Sequence, residues 1–469
     1  MLNRTWYDGP ASLMSFDSSA YAVFLALVLA VYWRLGHERQ NWFLTLASLF
    51  FYGWWDWRFL ALLGAAILID YELSRRIARG ENENARKGFL LASVALNLTV
   101  LGFFKYFNFF SESLLSAVKT LGFDPGWTFV RVLLPIGVSF YTFEAIAYMV
   151  DVYRRRMPPA RSLRDYALFI TFFPHLIAGP IMRPRAFLPQ CEKPRVFRRR
   201  RFVNGLDLIA WGMVKKLFIA DGIAYYADRL FALHEPSTLL VAVAGIGFWL
   251  QILADFSGYT DIARGSAKLL GFELARNFRA PYLARSIGEF WRRWHISLSS
   301  WIRDYVYIPL GGSRVSRGRW IVNVLVTWTL CGLWHGAAWK FLLWGFYHGA
   351  LIVAERGRRA GGIVATNALI IAGWILFRTP SLDRLASYVS VEALVRSPYD
   401  AQVALILMAV FTFYSLPWIA KALWDRRRAT LRLTPAQKRE ARGLWYAAAS
   451  VLLLLFAKLH SSAFIYFEF

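Results

Sequence analysis

The sequence predicts an all-α polytopic membrane protein. The first reason is composition: the 469 residues are 57% hydrophobic and only 18% charged, whereas soluble domains are roughly 45–50% apolar and about 25% charged. The second is pattern. Apolar runs of the roughly 20 residues that a bilayer-crossing helix needs recur from end to end, and mean hydropathy is +0.38. Strands of a membrane barrel would alternate in polarity instead of running apolar. The apolar content also excludes a disordered chain.

The spans are expected at about 20–34, 42–57, 58–75, 88–108, 131–152, 203–231, 238–270, 320–339, 340–355, 362–378, 402–424 and 443–460, about twelve in all. The first follows Arg4, Asp8 and Asp17 and ends without a small-residue cleavage site, so it is expected to stay as a helix and not to act as a cleaved signal peptide. The pair 42–75 turns over at Gly53-Trp54-Trp55-Asp56-Trp57-Arg58, a set of residues that suits the membrane–water interface. Segment 165–190 carries Pro174, Gly179, Pro180, Pro184 and Pro189 and reads as re-entrant or interfacial. The run 320–355 reads as a hairpin with one short arm, tilted or broken. No internal repeat is visible, and no polar stretch is long enough for a soluble domain, so residues 1–469 are expected to form one integral-membrane domain.

Lys and Arg number 55 against 30 Asp and Glu, a net charge of +25. In a soluble protein this excess would suggest nucleic acid, but no recognition module is present. The basic residues cluster between spans, at Arg75-Arg76, Arg154 to Arg156, Arg198 to Arg201, Arg314 to Arg319, Arg356 to Arg359 and Arg426 to Arg428. There they set topology and face anionic headgroups, so the expected partner is a lipid bilayer and not nucleic acid. With all of them inside, both termini lie outside. A basic cytoplasmic face also attracts an anionic, phosphate-bearing molecule. Cys191 and Cys331 are the two cysteines, too few for a disulfide framework and without metal-site spacing. The histidines lack metal-ligand spacing as well, so no metal is expected. P-loop, nucleophile-elbow and His-Glu-x-x-His motifs are absent.

An ionisable residue inside a span is expensive and therefore marks function by default. His335 sits in Cys331-Gly332-Leu333-Trp334-His335-Gly336-Ala337-Ala338-Trp339, among small residues that allow close approach of backbone or substrate. Imidazole suits proton transfer near neutrality. The residue alone leaves open a histidine that bonds a neighbouring helix, and His348 favours that structural reading. In Gly288 to Tyr305 the residues Trp291, Trp294, Leu298, Trp301 and Tyr305 recur at three and four, which predicts one helical face lying in the interface. Arg292, Arg293 and Arg303 then reach headgroups, and His295 lies beside the apolar stripe. In Asp255-Phe256-Ser257-Gly258-Tyr259-Thr260-Asp261, two acids late in an apolar span need partners. Orienting His295 or His335 is one reading, and ion pairs with nearby arginines are the other. Glu144 is a weaker case of the same kind.

Together these pieces resemble the membrane-bound O-acyltransferases, in particular the bacterial branch that acetylates alginate. The resemblance rests on Asp255 to Asp261, Phe290 to Ser299, Trp301 to Gly312 and Gly332 to Trp339, followed by Trp344-Gly345, a motif core within 255–349. Leu134 to Tyr141, Phe173 to Pro180 and Phe464 to Phe467 also fit. Each piece is weak, but their joint order is specific. The resemblance implies a ring of helices thinned in the middle, with a funnel or tunnel leading to the histidine. It implies transfer of an acyl group from a thioester to a hydroxyl, with His335 and His295 as the catalytic pair. Trp294, Trp334, Asp255, Tyr259, Asp261, Arg303 and Asp304 are the expected supporting or substrate-binding residues.

It further implies an enzyme of the bacterial inner membrane with no permanently bound cofactor, in which acetyl-CoA or another acyl thioester is the donor substrate. The acceptor is an exported polysaccharide, reached with a periplasmic acetyltransferase partner. Relatives that handle D-alanine share both histidines and take their donor from a carrier protein; Tyr307-Ile308-Pro309-Leu310-Gly311-Gly312 favours the acetyl branch. From the residues alone, a polysaccharide or acyl transporter and a structural scaffold stand as the competing classes.

Overall fold

The computed structural model describes residues 14–123, 126, 129–177, 179–357, 361–388, 397–431, 434–456 and 464. Among these the regular structure is helical, with no strand. Arg4 and Asp8, the end of the last expected span and Ile465 to Phe467 of the C-terminal motif lie outside the described residues. Among the described residues, three helices are by length and composition long and apolar enough to cross a membrane, Glu83–Thr120, Thr238–Leu269 and Asp400–Arg427, and two shorter apolar ones accompany them, Ser19–Tyr32 and Gly362–Arg378.

Contacts group the chain into two compact units. The first comprises Met1–Leu206, Ala263–Arg276 and Arg303–Tyr305. Its helices are α1 (Ser19–Tyr32), α2 (His37–Asp56), α3 (Phe59–Arg79), α4 (Glu83–Thr120), α5 (Val138–Tyr153), α6 (Leu163–Thr171), α7 (Phe173–Leu176) and α8 (Pro184–Glu192), and α9 (Arg199–Met213) begins here. Polar side chains inside apolar helices hold it together, because each needs an internal partner at membrane depth. Asp70 of α3 accepts from Ser93 Oγ of α4 at 2.6 Å and from Asn97 Nδ2 at 3.0 Å. Ser74 meets the Tyr148 hydroxyl of α5 at 2.9 Å.

The proline-rich segment 165–190 forms short helices, as its breakers require. Its interior is tied by His175, whose Nδ1 lies 3.0 Å from Glu144 Oε1 of α5. The same oxygen accepts the Met182 N–H at 2.7 Å. Gly137, before α5, is left-handed at φ 76°, and a Cβ there would lie 2.6 Å from the Leu176 carbonyl oxygen.

The second unit comprises Asp207–Ile262, Asn277–Ile302 and Val306–Phe469. After the end of α9 comes a π-helical stretch, Val214–Ala220, then α10 (Asp221–Ala232) and most of α11 (Thr238–Leu269). Next are α12 (Ile287–Arg293), α13 (Ile296–Ile302), α14 (Arg317–His335), α15 (Trp339–Glu355), α16 (Gly362–Arg378), α17 (Leu382–Ser387), α18 (Asp400–Thr430) and α19 (Pro435–Phe456). The single interfacial helix expected over 288–305 is corrected here. The chain breaks at Trp294-His295, where His295 is left-handed at φ 39°, and a π-helical turn follows at Arg303–Tyr307.

The expected hairpin over 320–355 is present as α14 and α15, joined by an extended break at Gly336-Ala337-Ala338. Its two arms touch backbone to backbone. A Cβ on Gly332 would collide with the Phe341 carbonyl oxygen, and one on Gly345 with that of Trp328. Small residues of this kind are what brings membrane helices close. Gly345→Val is therefore expected to destabilise the protein by about 1–3 kcal/mol through overpacking. Thermal unfolding in detergent measures this; an unshifted midpoint would show that the crossing relaxes.

Candidate active site

α14 ends at His335 and α15 starts four residues later, so the break after His335 places its imidazole at the end of a rigid helix. Aromatic rings enclose it edge to face: Trp334 and Trp344 at 5.0 Å between centroids and Phe377 of α16 at 5.5 Å. Such pairs add about 0.5–1.5 kcal/mol each beyond area burial. His335 is 6% exposed and His295 is 0% exposed.

His295 belongs to the same aromatic cluster. Its ring meets Phe256 of α11 edge-on at 4.6 Å, and Trp334 lies at 6.0 Å. Trp334 thus touches both imidazoles. Trp294, the neighbour of His295, packs on Phe278 and Trp374, each at 5.0 Å. The structure therefore brings His295, His335, Trp294 and Trp334 into one cluster. Trp344 and Phe377 complete the wall around His335; Phe377 lies in the apolar run 362–378, and nothing in that run marks it out in the sequence.

The acids of α11 form ion pairs, one of the two readings of the sequence, but with lysines in place of arginines. Asp255 Oδ1 lies 2.8 Å from Lys216 Nζ, which also donates to Asp221 Oδ1 at 2.9 Å. Asp261 Oδ2 lies 2.7 Å from Lys215 Nζ, and that ammonium also donates to Ser257 Oγ at 3.0 Å. Lysines, not arginines or the histidines, make these contacts. Both lie on the π-helical stretch. Successive α-helical residues point about 100° apart, and the wider π turn lets two adjacent lysines reach one neighbouring helix.

The reach is short because Gly212 and Gly258 abut: a Cβ on Gly212 would sit 2.7 Å from the Gly258 oxygen. Lys216 also lies 5.8 Å from the Tyr259 ring, which stacks on Phe464 at 4.1 Å. Sequence reasoning missed both lysines. The available signal was two adjacent ammonium groups inside the apolar run 203–231, facing two acids in the next run.

Arg303 and Asp304 belong to the first unit, where Arg183 Nη2 donates to Asp304 Oδ2 at 2.9 Å and Arg303 Nε to Asp304 Oδ1 at 2.8 Å. His348 is buried and ringed by Trp291, Trp328 and Trp344 at 5.1, 6.2 and 4.8 Å, in keeping with the structural reading. On α12, the Arg285 N–H and the Arg293 guanidinium hold the Glu289 carboxyl below its ordinary range. Among the described residues no group of three or more His, Cys, Asp or Glu side chains is placed to hold a metal ion.

Among the described residues, whose regular structure is helical, two histidines stand at breaks between helices and share one buried aromatic wall, and sequence comparison places the chain. The chain belongs to the membrane-bound O-acyltransferase family, whose profile matches residues 152–361. It is an O-acyltransferase and a multi-pass membrane protein. It is 41% identical over 381 residues to the "Probable alginate O-acetylase AlgI" of Azotobacter vinelandii, covering 79% of this chain and 76% of that one. The protein of that name from Pseudomonas aeruginosa is 40% identical over 79% of this chain and 73% of its own. The peptidoglycan O-acetyltransferase of Helicobacter pylori is 32% identical over 72% and 71%.

Removing one member of a buried ion pair strands its partner and costs about 3–5 kcal/mol. Lys216 is 1% exposed and bridges carboxylates 3% and 4% exposed, whereas Asp261 is 17% exposed. Lys216→Met is therefore expected to lower stability more than Lys215→Met. Unfolding of both variants in one detergent checks the order, and equal losses would contradict it.

Proposed function

We propose that this chain is an inner-membrane O-acetyltransferase that moves an acetyl group from a cytoplasmic thioester, acetyl-CoA, toward hydroxyls of an exported polysaccharide such as alginate. A periplasmic acetyltransferase partner completes the delivery. The observation that carries this reading is the placement of His335 and His295 against one shared ring, Trp334, in a chain about 40% identical to proteins named alginate O-acetylases. The identity to teichoic acid D-alanyltransferases is lower: 28% over 46% of this chain for the Bacillus subtilis protein. That difference favours acetyl over D-alanyl.

In this reading about twelve membrane helices form a ring around a central funnel, where donor and acceptor meet from opposite sides. His335 is the general base. It takes the acceptor hydroxyl proton as the oxygen attacks the thioester carbonyl. The carbon–oxygen bond forms, the tetrahedral species collapses, the carbon–sulfur bond breaks, and the proton passes from the imidazolium to the departing thiolate. General-base help of this kind is worth about 10²–10⁴-fold. His295 stabilises the oxyanion or orients the donor. Trp294, Trp334 and Tyr259 shape the cavity walls. Asp255 and Asp261 support the site by pinning α11 through the two lysines. Arg303 and Asp304 serve the donor approach.

The test places the purified protein in vesicles with radiolabelled acetyl-CoA and an acceptor, and compares wild type with His335→Ala. Loss of label transfer by at least about 10²-fold, with the variant still folded, is the expected result. Equal turnover in both proteins would remove His335 from the chemistry. Turnover only with D-alanyl carrier protein would move the chain to the D-alanyl class.

A further inference from the structure

His295 stands where a cap should be. It is the residue immediately before α13, the position at which Ser, Thr, Asp or Asn usually supplies an oxygen to the first turn's N–H groups. Its imidazole is turned toward Phe256 and Trp334. The backbone at His295 is also left-handed, at φ 39°, a conformation that is strained for a residue other than glycine. The strained peptide has to be offset by something outside it.

Asn277 does this from a separate segment. It is 1% exposed. Its backbone carbonyl accepts the Ile296 N–H at 2.9 Å. Its side-chain Oδ1 accepts from Ser297 Oγ at 2.6 Å and from the Ser297 N–H at 3.3 Å. Its Nδ2 donates to Thr260 Oγ1 of α11 at 3.4 Å. One residue therefore caps α13, fixes the two residues after His295 and ties the turn to the helix that carries Phe256. Two residues on, the Arg279 N–H donates to the Arg293 carbonyl at 3.0 Å, so the two strands of chain run side by side through the break.

We propose that Asn277 is a positioning residue for the acyl transfer: it caps α13 in place of His295 and holds the left-handed peptide that aims the His295 imidazole into the aromatic cluster. This rests on the reading of His295 as part of the acyl-transfer site. Asn277 makes no contact with reacting atoms. Its influence passes through the orientation of one ring, and misplacement by about 1 Å costs about 10²-fold in rate.

Two measurements test it on the full-length protein in vesicles. The first is a double-mutant cycle on initial rates of acetyl-CoA turnover. Asn277→Ala is expected to lower kcat about 10–100-fold with the donor KM little changed, and to have no further effect when His295 is already Ala. The same fractional loss in both backgrounds would overturn the proposal, since a general structural role acts regardless of residue 295. Should Asn277→Ala not accumulate, Ser297→Ala removes the 2.6 Å bond alone and is expected to show the same dependence on His295 with a smaller loss.

The second measurement is amide hydrogen exchange, which needs no turnover. Asn277→Ala or Ser297→Ala should speed exchange at Ile296 and Ser297 while α14 and α15 keep their protection. Unchanged exchange at both residues would overturn the proposal. A wild-type rate for His295→Ala removes the site reading itself. A slow His295→Ala beside a wild-type rate for Asn277→Ala removes only the present one.

Discussion

The second unit depends on the pairing of charges that have no access to water. Lys216 lies between Asp221 and Asp255, each within 3 Å, with all three side chains nearly inaccessible. A charge in an apolar interior persists only if partners replace the lost hydration. Once that bridge is made, α11 has little freedom to slide or turn past the π-helical stretch. The glycine contact between residues 212 and 258 then sets the spacing. The next residue after Asp255 is Phe256, whose ring meets His295. An ion pair one residue from Phe256 therefore fixes the wall against which His295 rests. The first unit follows the same rule with neutral groups added, at Asp70 with Ser93 and Asn97 and at Glu144 with His175.

Large rings and absent side chains divide the remaining work. Between α14 and α15 the glycines let two backbones touch, which fixes the hairpin closely enough for a cluster of tryptophans to be rigid rather than mobile filler. Trp344 shows the result. It lies one residue before Gly345, is fully buried, and contacts both His335 and His348. His348 is thereby part of the packing behind the site. The position of His335 follows from helix length and the extended break after it.

Much of this was legible in the sequence. Long apolar runs predict helices, and those observed at 19–32, 238–269, 317–335, 339–355 and 362–378 lie within a few residues of the expected segments. The two histidines and their tryptophan neighbours were legible because their motifs are local. The partners of Asp255 and Asp261 were not, because the pairing depends on a π-helical turn that adjusts which side of a helix two lysines occupy, and periodicity arguments assume a regular one. The break at Trp294-His295 was hidden for a related reason. The three-and-four spacing of Trp291, Trp294 and Leu298 continues through it, while the hydrogen bonds that stabilise the break come from Asn277, eighteen residues before His295.

The two histidines are held by different means, and the difference bears on their roles in the proposed transfer. His335 closes α14, whose C-terminal end carries partial negative charge. That end suits a side chain that gains a proton as the acceptor attacks. His295 opens α13, where the N–H groups of the first turn would ordinarily be available to an oxyanion. Those of Ile296 and Ser297 are already taken by Asn277. In the proposed transfer those two N–H groups do not serve the tetrahedral intermediate, and the imidazole of His295 is the group proposed to stabilise it or to orient the donor. The cap that steadies the turn comes from Asn277, so in the proposed transfer the side chain at position 295 is held in place by a separate segment of the chain.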